Sequence, residues 1–510
     1  MCIYKQCNQL KYLVLSIAMI IFVFSSCRGE NIESDSTDIT DSLTTIDTDS
    51  ISQIDSISDV GFIHRLPYFG DLDSMISRRF IRVLVPNNRT HYFLDGGQQR
   101  GMVYEYINAF ENHLNKKLKR SKLKVRLFCI PVRRDQLIPQ LINGYGDMIA
   151  AGLTRTEDRA LELDFTSSLI NGINEVIVSW KKAPALHQLH DLSGKTVYVR
   201  KSSTYYQHLQ QLNLELKSSG KKPVRIYEAD ENLETEDILE LVNHGTIQYT
   251  IADDYLVNIW SKVLDNIVVY DSIPLHKGGA ISQAVRKDSP NLKKELNLFI
   301  KSHRKGTLFG NVIFNRYMKN TRWVKNPLPD NYDPKIERFM ELFKTYGDQY
   351  DLNHIFLLSL AFQESRLNNG ARSHAGAVGI MQIRPTTASA KPIYIKDITK
   401  LENNIHAGTK YLRHIMDTYF NDPELPVSER MFFTMAAYNA GPHRISVLRK
   451  KAAAYGYDPK KWFDNVEIVV AKSMSREPIQ YINNIVKNYV VYNMMKERLE
   501  MKKRAIDKIK

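Results

Sequence analysis

Cysteine is scarce in this sequence, with four residues among 510. Cys2, Cys7 and Cys27 lie close to the N-terminus, so Cys129 is the one thiol in the rest of the chain. A single thiol cannot form an intrachain disulfide, which excludes the small cross-linked scaffolds typical of many secreted proteins. The chain must instead rely on hydrophobic cores, and its length predicts about three domains.

Several ligand-binding patterns are also missing. The formal net charge is +14, but no basic block interleaved with aromatic residues is present, so we expect no nucleic-acid partner. The spread positive charge still permits an anionic wall polymer or lipid. Histidines 374, 406, 414 and 443 lack metal-ligand spacing, and there is no glycine-rich phosphate loop. We therefore predict no metal site and no cofactor.

The N-terminus has the features of an export signal. Lys5 and Lys11 precede the apolar run Tyr12–Phe24, which is too short for a comfortable transmembrane helix. Two serines then precede Cys27, which resembles the lipobox of bacterial lipoproteins. This resemblance implies a signal peptide at 1–26, lipidation of Cys27 and an outer-membrane lipoprotein facing the periplasm. Simple secretion is the alternative.

Composition and periodicity divide the rest of the chain. Residues 27–77 are rich in Ser, Thr and Asp and are predicted to form a lipid-anchored, disordered tether. Strand and helix patterns alternate over 78–322, and the first pattern returns near Ala280, which predicts an α/β body of two lobes that close on a ligand. A Pro-rich linker at 323–334 leads to an almost purely helical region at 335–502.

The first body carries a family resemblance. Its run GDMIAAGLTRTEDRALELDFTSSL resembles the signature of periplasmic solute-binding proteins of the amino-acid-binding type. This implies the periplasmic-binding-protein fold, with Thr154 and Arg159 holding a ligand carboxylate, Asp254 facing a ligand amine and Tyr92 stacking on the ligand. The planar fork of arginine suits that task. A retained fold with an empty cleft is the alternative.

One carboxylate stands out in the helical region. Glu364 follows Leu357, Leu360 and Ala361 by seven, four and three residues in a predicted helix, so it lies in line with an apolar stripe. Burial beside apolar side chains raises the pKa of a carboxyl group. A carboxylic acid that is still protonated near neutral pH can donate a proton to a leaving group.

Four sequence blocks around this helix occur in a fixed order: QES at 363–365, GAVGIMQIRPTTA, AAYNAGP and REPIQYINNIVKNY. Together they resemble the lysozyme-like soluble lytic transglycosylase domain. The resemblance implies an all-α fold and cleavage of the bond between N-acetylmuramic acid (MurNAc) and N-acetylglucosamine (GlcNAc), with Glu364 as acid and then base and a 1,6-anhydro product. We found no second catalytic carboxylate in these blocks. The substrate-binding candidates are Ser365, Gly379, Met381, Gln382, Tyr438, Asn439 and Tyr481.

These observations predict an exported enzyme that cleaves peptidoglycan glycan strands. Its N-terminal body would bind a muropeptide or an amino-acid-like ligand and bias the catalytic region. One alternative is a solute-binding lipoprotein whose C-terminal domain only holds it on the wall. Another is a hydrolytic muramidase, which would differ in its product.

Overall fold

The computed structural model describes residues 66–324 and 334–509. The predicted signal peptide, Cys27, most of the predicted tether and most of the predicted linker lie outside the described residues. Among the residues that are described, none of the helices combines the length and apolar character needed to cross a bilayer.

The first region, residues 66–324, is built on one large sheet. Its strands are β1 Phe80–Val85, β2 Phe93–Asp95, β3 Gln98–Arg100, β4 Arg126–Pro131, β5 Met148–Thr154, β6 Leu163–Phe165, β7 Ile170–Trp180, β8 Thr196–Arg200, β9 Arg225–Ala229, β10 Tyr249–Asp253, β11 Ile267–Tyr270 and β12 His276–Arg286. Its helices are α1 Leu72–Ser77, α2 Met102–Lys117, α3 Leu137–Ile142, α4 Glu157–Glu162, α5 Thr204–Ser218, α6 Thr235–Asn243, α7 Asp254–Trp260, α8 Pro290–His303 and α9 Leu308–Phe314. Because α1 is already helical at residue 72, the folded body begins before residue 78, where the sequence placed its start.

The strand order is β4-β1-β5-β12-β7-β10-β8-β9. β1 pairs in parallel with β4 and β5, and β8 pairs in parallel with β9 and β10. Between these two halves run β7 and β12, which are antiparallel to their neighbours and are each eleven residues long. The chain therefore crosses twice between a first lobe and a second lobe, as the alternating pattern predicted.

Burial explains the parallel halves. Every residue of β4 is buried and nearly every residue of β1, as expected for strands covered on both faces. The second lobe has its own apolar core, in which Val197 and Val199 of β8 pack with Leu209, Leu212 and Leu216 of α5. The fold class predicted for this region is confirmed.

The second region is helical. Its helices are α10 Pro334–Gln349, α11 His354–Ser365, α12 Pro385–Ser389, α13 Leu401–Tyr419, α14 Val427–Ala440, α15 Pro442–Ala452, α16 Glu467–Ser473 and α17 Glu477–Asp507. The buried helix α11 packs against α10 and α17. Helix α17 is 31 residues long, and it also packs on β4 and places Ala505 and Ile506 in the core of the α/β body. One helix thus contacts both regions.

Candidate active site

Glu364 lies in the last turn of α11. This helix begins at Asn353, whose side chain accepts a hydrogen bond from the Phe356 amide, and it ends at Arg366 in the left-handed conformation. Residues 355–362 are all buried, so the helix is fixed within the core and its C-terminal turn delivers Glu364 to a half-buried position. The Tyr481 hydroxyl donates a hydrogen bond of 2.5 Å to Glu364 Oε1.

The pKa of Glu364 is raised to about 7: burial is the largest cause, the hydrogen bond from Tyr481 opposes it, and the nearby charge of Glu477 adds to the rise. Burial also raises the pKa of Tyr481 well above its ordinary value, so this hydroxyl keeps its proton and acts as a donor. At neutral pH the Glu364 carboxyl group is therefore divided between its protonated and ionised forms, which suits a residue that serves as acid and then as base.

The loop at residues 376–382 is fixed beside Glu364 through its backbone. Ser365 Oγ donates to the Ile380 carbonyl at 2.8 Å, and the Tyr438 hydroxyl donates to the Met381 carbonyl at 2.8 Å. Ser365 and Tyr438 therefore position the loop, and the raised pKa of Tyr438 reflects its burial and, secondarily, the charge of Glu364 nearby. Asn439, also half-buried, follows Tyr438 near the end of α14.

Asn404 was not identified from the sequence. It is fully buried on α13, accepts a hydrogen bond from the Met381 amide at 2.8 Å, and donates to the carbonyls of Val378 and Ile398. A Cβ at Gly379, where φ is +80°, would lie 2.1 Å from Asn404 Nδ2, so only glycine fits this close approach. A buried asparagine in a helix gives no local sequence signal of such a role.

Two predicted sugar contacts need revision. The Met381 side chain is fully buried against Gly408, so it belongs to the core and cannot lie under a sugar face as predicted. The amide nitrogen of Gln382 donates to the carbonyls of Ala371 and Gly379, at 3.1 and 2.8 Å, so that nitrogen stabilises the loop. The side-chain oxygen of Gln382 is the part left to contact a substrate.

A second carboxylate, that of Glu477, lies within electrostatic range of Glu364. Glu477 is exposed, begins α17 and stands one turn before Tyr481. Its charge contributes to the raised pKa of Glu364.

The cleft of the α/β body differs from the predicted ligand site. Arg159 donates to the carbonyls of Thr154 in the first lobe and Ser202 in the second, both at 2.9 Å, and burial lowers its pKa to about 10. Arg159 and Thr154 are therefore brought together, but as a contact between the two lobes. Tyr92 is fully buried in the first lobe and donates to Gln99, and its stacking on a ligand stays a prediction.

The acid that lies buried near the cleft is Asp253, not the predicted Asp254. Asp254 is half-buried, and its carboxylate accepts hydrogen bonds from the backbone amides of Asn174 and Tyr255. Asp253 is buried, its Oδ1 has no hydrogen-bond partner among the described residues, and burial with the nearby charge of Glu175 raises its pKa to about 7. The strand, which is buried along its whole length, ends at Asp253, and Asp254 is the first residue of α7.

A further carboxylate joins the lobes. Glu234, which precedes α6 in the second lobe, accepts hydrogen bonds from Asn88 Nδ2 at 2.9 Å and Arg134 Nε at 2.6 Å, both in the first lobe. Burial alone would raise the pKa of Glu234, but Arg134 and Arg200 lower it to about 2. Local sequence patterns do not predict this contact, because the partners of Glu234 lie about 100 or more residues away along the chain.

Helix α17 joins this second lobe to the active-site helices. Near its C-terminal end, the buried Lys502 forms an ion pair of 2.6 Å with Asp237 of α6. In its middle, Lys487 pairs with Glu111 and the Tyr492 hydroxyl donates to the Gly97 carbonyl, both in the first lobe. Tyr481, at the start of the same helix, holds Glu364.

Comparison with known proteins gives two family matches. Residues 81–319 match the model of the bacterial extracellular solute-binding proteins, family 3, and residues 341–463 match that of the transglycosylase SLT domain. Proteins named membrane-bound lytic murein transglycosylase F are similar over most of the chain. The protein from Desulfosudis oleivorans is 26% identical over 82% of this chain and 90% of its own length, and the one from Pseudomonas fluorescens strain Pf0-1 is 27% identical over 80% and 84%.

Among solved structures, a mutant of ArgBP from T. maritima is 20% identical and covers 49% of this chain and 99% of its own, with a TM-score of 0.40. An ancestral arginine-binding protein bound to arginine is 23% identical and covers 47% of this chain and 97% of its own, with a TM-score of 0.39.

Proposed function

We propose that this chain, which carries a family 3 solute-binding domain followed by a transglycosylase SLT domain, is a lytic transglycosylase that cleaves the glycan strands of peptidoglycan. Its relatives over most of its length are named lytic murein transglycosylases. The observation that carries the proposal is Glu364, a half-buried carboxyl group at the end of a buried helix, with a pKa of about 7 and a hydrogen bond from Tyr481.

In the first step, protonated Glu364 donates its proton to the oxygen that links MurNAc to GlcNAc. The bond from MurNAc C1 to that oxygen breaks, GlcNAc leaves with a 4-hydroxyl group, and positive charge develops at C1. Glu364 is then a carboxylate, which accepts a hydrogen bond from Tyr481. This bond stabilises the ionised form and limits the rise of the pKa.

In the second step, the Glu364 carboxylate removes the proton from the MurNAc 6-hydroxyl group. The oxygen bonds to C1 and closes a 1,6-anhydro ring. The proton from the 6-hydroxyl group replaces the one that left with GlcNAc, so Glu364 is protonated again, no water is consumed and one residue suffices. The substrate contacts proposed for this site are the side-chain oxygen of Gln382 and the half-buried Asn439, while Gly379 lets the loop approach the buried Asn404.

A hydrolytic muramidase is the second candidate, and Glu477 is the observation that favours it. Glycosidases that use water need a second carboxylate, and Glu477 lies close enough to influence Glu364. Mass spectrometry of the fragments released from sacculi distinguishes the two candidates. If Glu477→Gln still releases fragments with anhydro ends, the result supports the transglycosylase. If the natural chain releases fragments with reducing ends and Glu477→Gln does not, the result establishes hydrolysis.

The third candidate, a binder that only attaches to the wall, is tested with the same substrate. Sacculus digestion by the natural chain that is lost in Glu364→Gln would support catalysis. Absence of digestion by both proteins, with retained binding to sacculi, would establish a wall-binding protein. Digestion unchanged by the substitution would remove Glu364 from the mechanism.

For the α/β region we propose a regulatory site for a muropeptide or another amino-acid-like ligand. The support is the two-lobed fold together with polar groups between the lobes, among them the buried Asp253 and Glu234 and the half-buried Arg134. Such a ligand must replace contacts that now join the lobes, since Glu234 occupies Arg134 and Asn88. Calorimetry with soluble muropeptides tests this: binding that is lost in Arg134→Ala would support the site, and equal binding would remove Arg134 from it.

Helix α17 is the proposed connection between this site and Glu364, because it contacts α6 through Lys502 and Glu364 through Tyr481. If it transmits the state of the lobes, a muropeptide will change the turnover of the natural chain but not that of Lys502→Met. Lys508→Met, at the end of the same helix, is the matched control. An identical response of the Lys502 variant and the natural chain would contradict this connection.

We also propose that a lipid anchor at Cys27 holds the protein on the outer membrane, facing the periplasm. The support is the sequence pattern of the N-terminus and the membrane-bound character named for its relatives. Mass spectrometry of the purified N-terminus tests it, since cleavage before Cys27 with acylation adds a defined mass.

A further inference from the structure

An exposed surface of the first lobe combines apolar and basic side chains. Leu298 on α8 is 52% exposed, and Leu308 and Val312 on α9 are 85% and 46% exposed. Leu308 and Val312 stand one turn apart, and α9 packs against α8. Single exposed apolar residues are ordinary on a protein surface, but several on adjacent helices mark an interaction surface.

Lysines accompany these apolar residues. Lys294, Leu298 and Lys301 are spaced by four and three residues, so they share one side of α8. We call Lys294, Leu298, Lys301, Leu308 and Val312 the α8–α9 face.

The charge of this face is not neutralised by its surroundings. Lys293, on the flank of α8, pairs with Asp164, and Arg316 pairs with Glu105. By contrast, no carboxylate pairs with Lys294 or Lys301 in the part of the chain that the structure describes. The acid within α8, Glu295, is buried and bound by Lys117 and His113. The face is therefore positively charged and suited to an anionic partner.

The position of the face relates it to the N-terminal segment. Asp71 accepts hydrogen bonds from the amides of Asn291 and Leu292 at 2.7 and 2.9 Å. The chain that precedes α1 therefore joins the body at the N-terminal end of α8. That chain leads back to Cys27, the residue proposed to carry the lipid, so the anchored segment enters the body beside α8.

We propose that the α8–α9 face rests on the anionic leaflet of the membrane. Leu308 and Val312 enter the headgroup region, while Lys294 and Lys301 bind lipid phosphates, as in peripheral helices with basic and apolar sides. This contact goes beyond the proposed catalytic function, because it fixes the orientation of the body on the membrane and does not involve the active site.

The test places an environment-sensitive fluorophore on the face of the full chain. Leu308→Cys is labelled, and the chain is reconstituted with vesicles of phosphatidylcholine alone or mixed with phosphatidylglycerol. Leu214→Cys in the second lobe and Tyr455→Cys in the helical region, 64% and 61% exposed, are the matched controls. The unsubstituted chain measures labelling of the natural cysteines.

We expect a blue shift of emission at position 308 with phosphatidylglycerol, reversed by salt, and none at positions 214 and 455. Lys294→Gln and Lys301→Gln should each weaken the contact about fivefold. Cleavage of soluble glycan fragments should be unchanged in both variants. A failure of the membrane-contact proposal can therefore be distinguished from a failure of the proposed enzyme function.

Two outcomes would overturn the proposal. One is the absence of a shift at position 308, or an equal shift at the two control positions. The other is a shift caused by peptidoglycan sacculi but not by anionic vesicles, which would assign the face to the wall polymer.

Discussion

Glu364 and Glu234 are both largely enclosed carboxylates at the edge of a cleft, and their pKa values are shifted in opposite directions. Glu364 has one hydrogen-bond donor, Tyr481, and a like charge nearby, so its pKa is raised to about 7. Glu234 is more deeply buried, but it accepts from Arg134 and Asn88, so its pKa is lowered to about 2. In Glu234, the arginine partners therefore lower the pKa by more than burial raises it.

This difference separates a reactive carboxylate from a structural one. A carboxyl group whose pKa is lower in the folded than in the unfolded state stabilises the fold at neutral pH. A carboxyl group whose pKa is raised on folding destabilises it there. Glu364 therefore lowers stability at the point where chemistry is proposed, whereas Glu234 holds two lobes together.

The largest expected effect is that of Glu364→Gln. Loss of the proton donor should reduce glycan cleavage by about 10²–10⁴-fold. The same change should stabilise the fold above pH 7, where the natural carboxyl group is ionised against its surroundings, by up to about 3 kcal/mol. Sacculus digestion and thermal unfolding at pH 8 measure the two effects. Lower stability of the variant at that pH would contradict the assigned pKa.

Glu234→Ala should open the α/β cleft. Removing one partner of a buried ion pair leaves Arg134 without its carboxylate and should cost about 3–5 kcal/mol. Small-angle scattering should show a larger radius of gyration. Glu231→Ala is the matched control, because its carboxylate binds only Ser202 within the second lobe.

The contribution of Glu234 also has a defined pH dependence. Because its pKa is lowered, the stabilisation is present above the unfolded value near 4.5 and is lost as the pH falls toward 2. The natural chain should therefore lose stability over this range more steeply than Glu234→Ala. If the acid-unfolding curves of the natural chain and of Glu234→Ala are parallel, the two lobes are held together by contacts other than those of Glu234.

Tyr481→Phe should have a smaller effect on catalysis. The hydrogen bond lowers the pKa of Glu364, so its loss should shift the alkaline limb of the pH–rate profile upward and reduce turnover about tenfold. Tyr492→Phe, on the same helix, loses a bond to the Gly97 carbonyl and should affect stability alone. An unchanged pH profile in Tyr481→Phe would place that tyrosine outside the mechanism.

Glu477→Gln should have the smallest effect. Removing its negative charge should lower the pKa of Glu364 and move the alkaline limb of the profile downward by less than about one pH unit. This shift of the pKa is opposite in direction to the one expected for Tyr481→Phe. The two variants together therefore test which groups set the pKa of Glu364. A large loss of turnover at every pH would instead indicate a direct catalytic role for Glu477.

Local patterns predicted much of the fold. Alternating strands and helices identified the two lobes, and a helical stripe identified the burial and raised pKa of Glu364. The resemblance of the four blocks to the lytic transglycosylase domain, rather than any local period, assigned Ser365, Tyr438 and Tyr481 to one site. Patterns of this kind depend on neighbouring residues, which the sequence displays directly.

What the sequence by itself determined was the order of the elements and the single acid at the end of a buried helix. Tertiary structure alone decided that Asn404 holds the active-site loop, that Glu234 joins the lobes, and that Asp253 rather than Asp254 is the buried acid. It also decided that Tyr92 and Met381 lie in cores. Each of these outcomes depends on contacts between distant residues or on the face toward which one side chain turns, and neither is fixed by local periodicity.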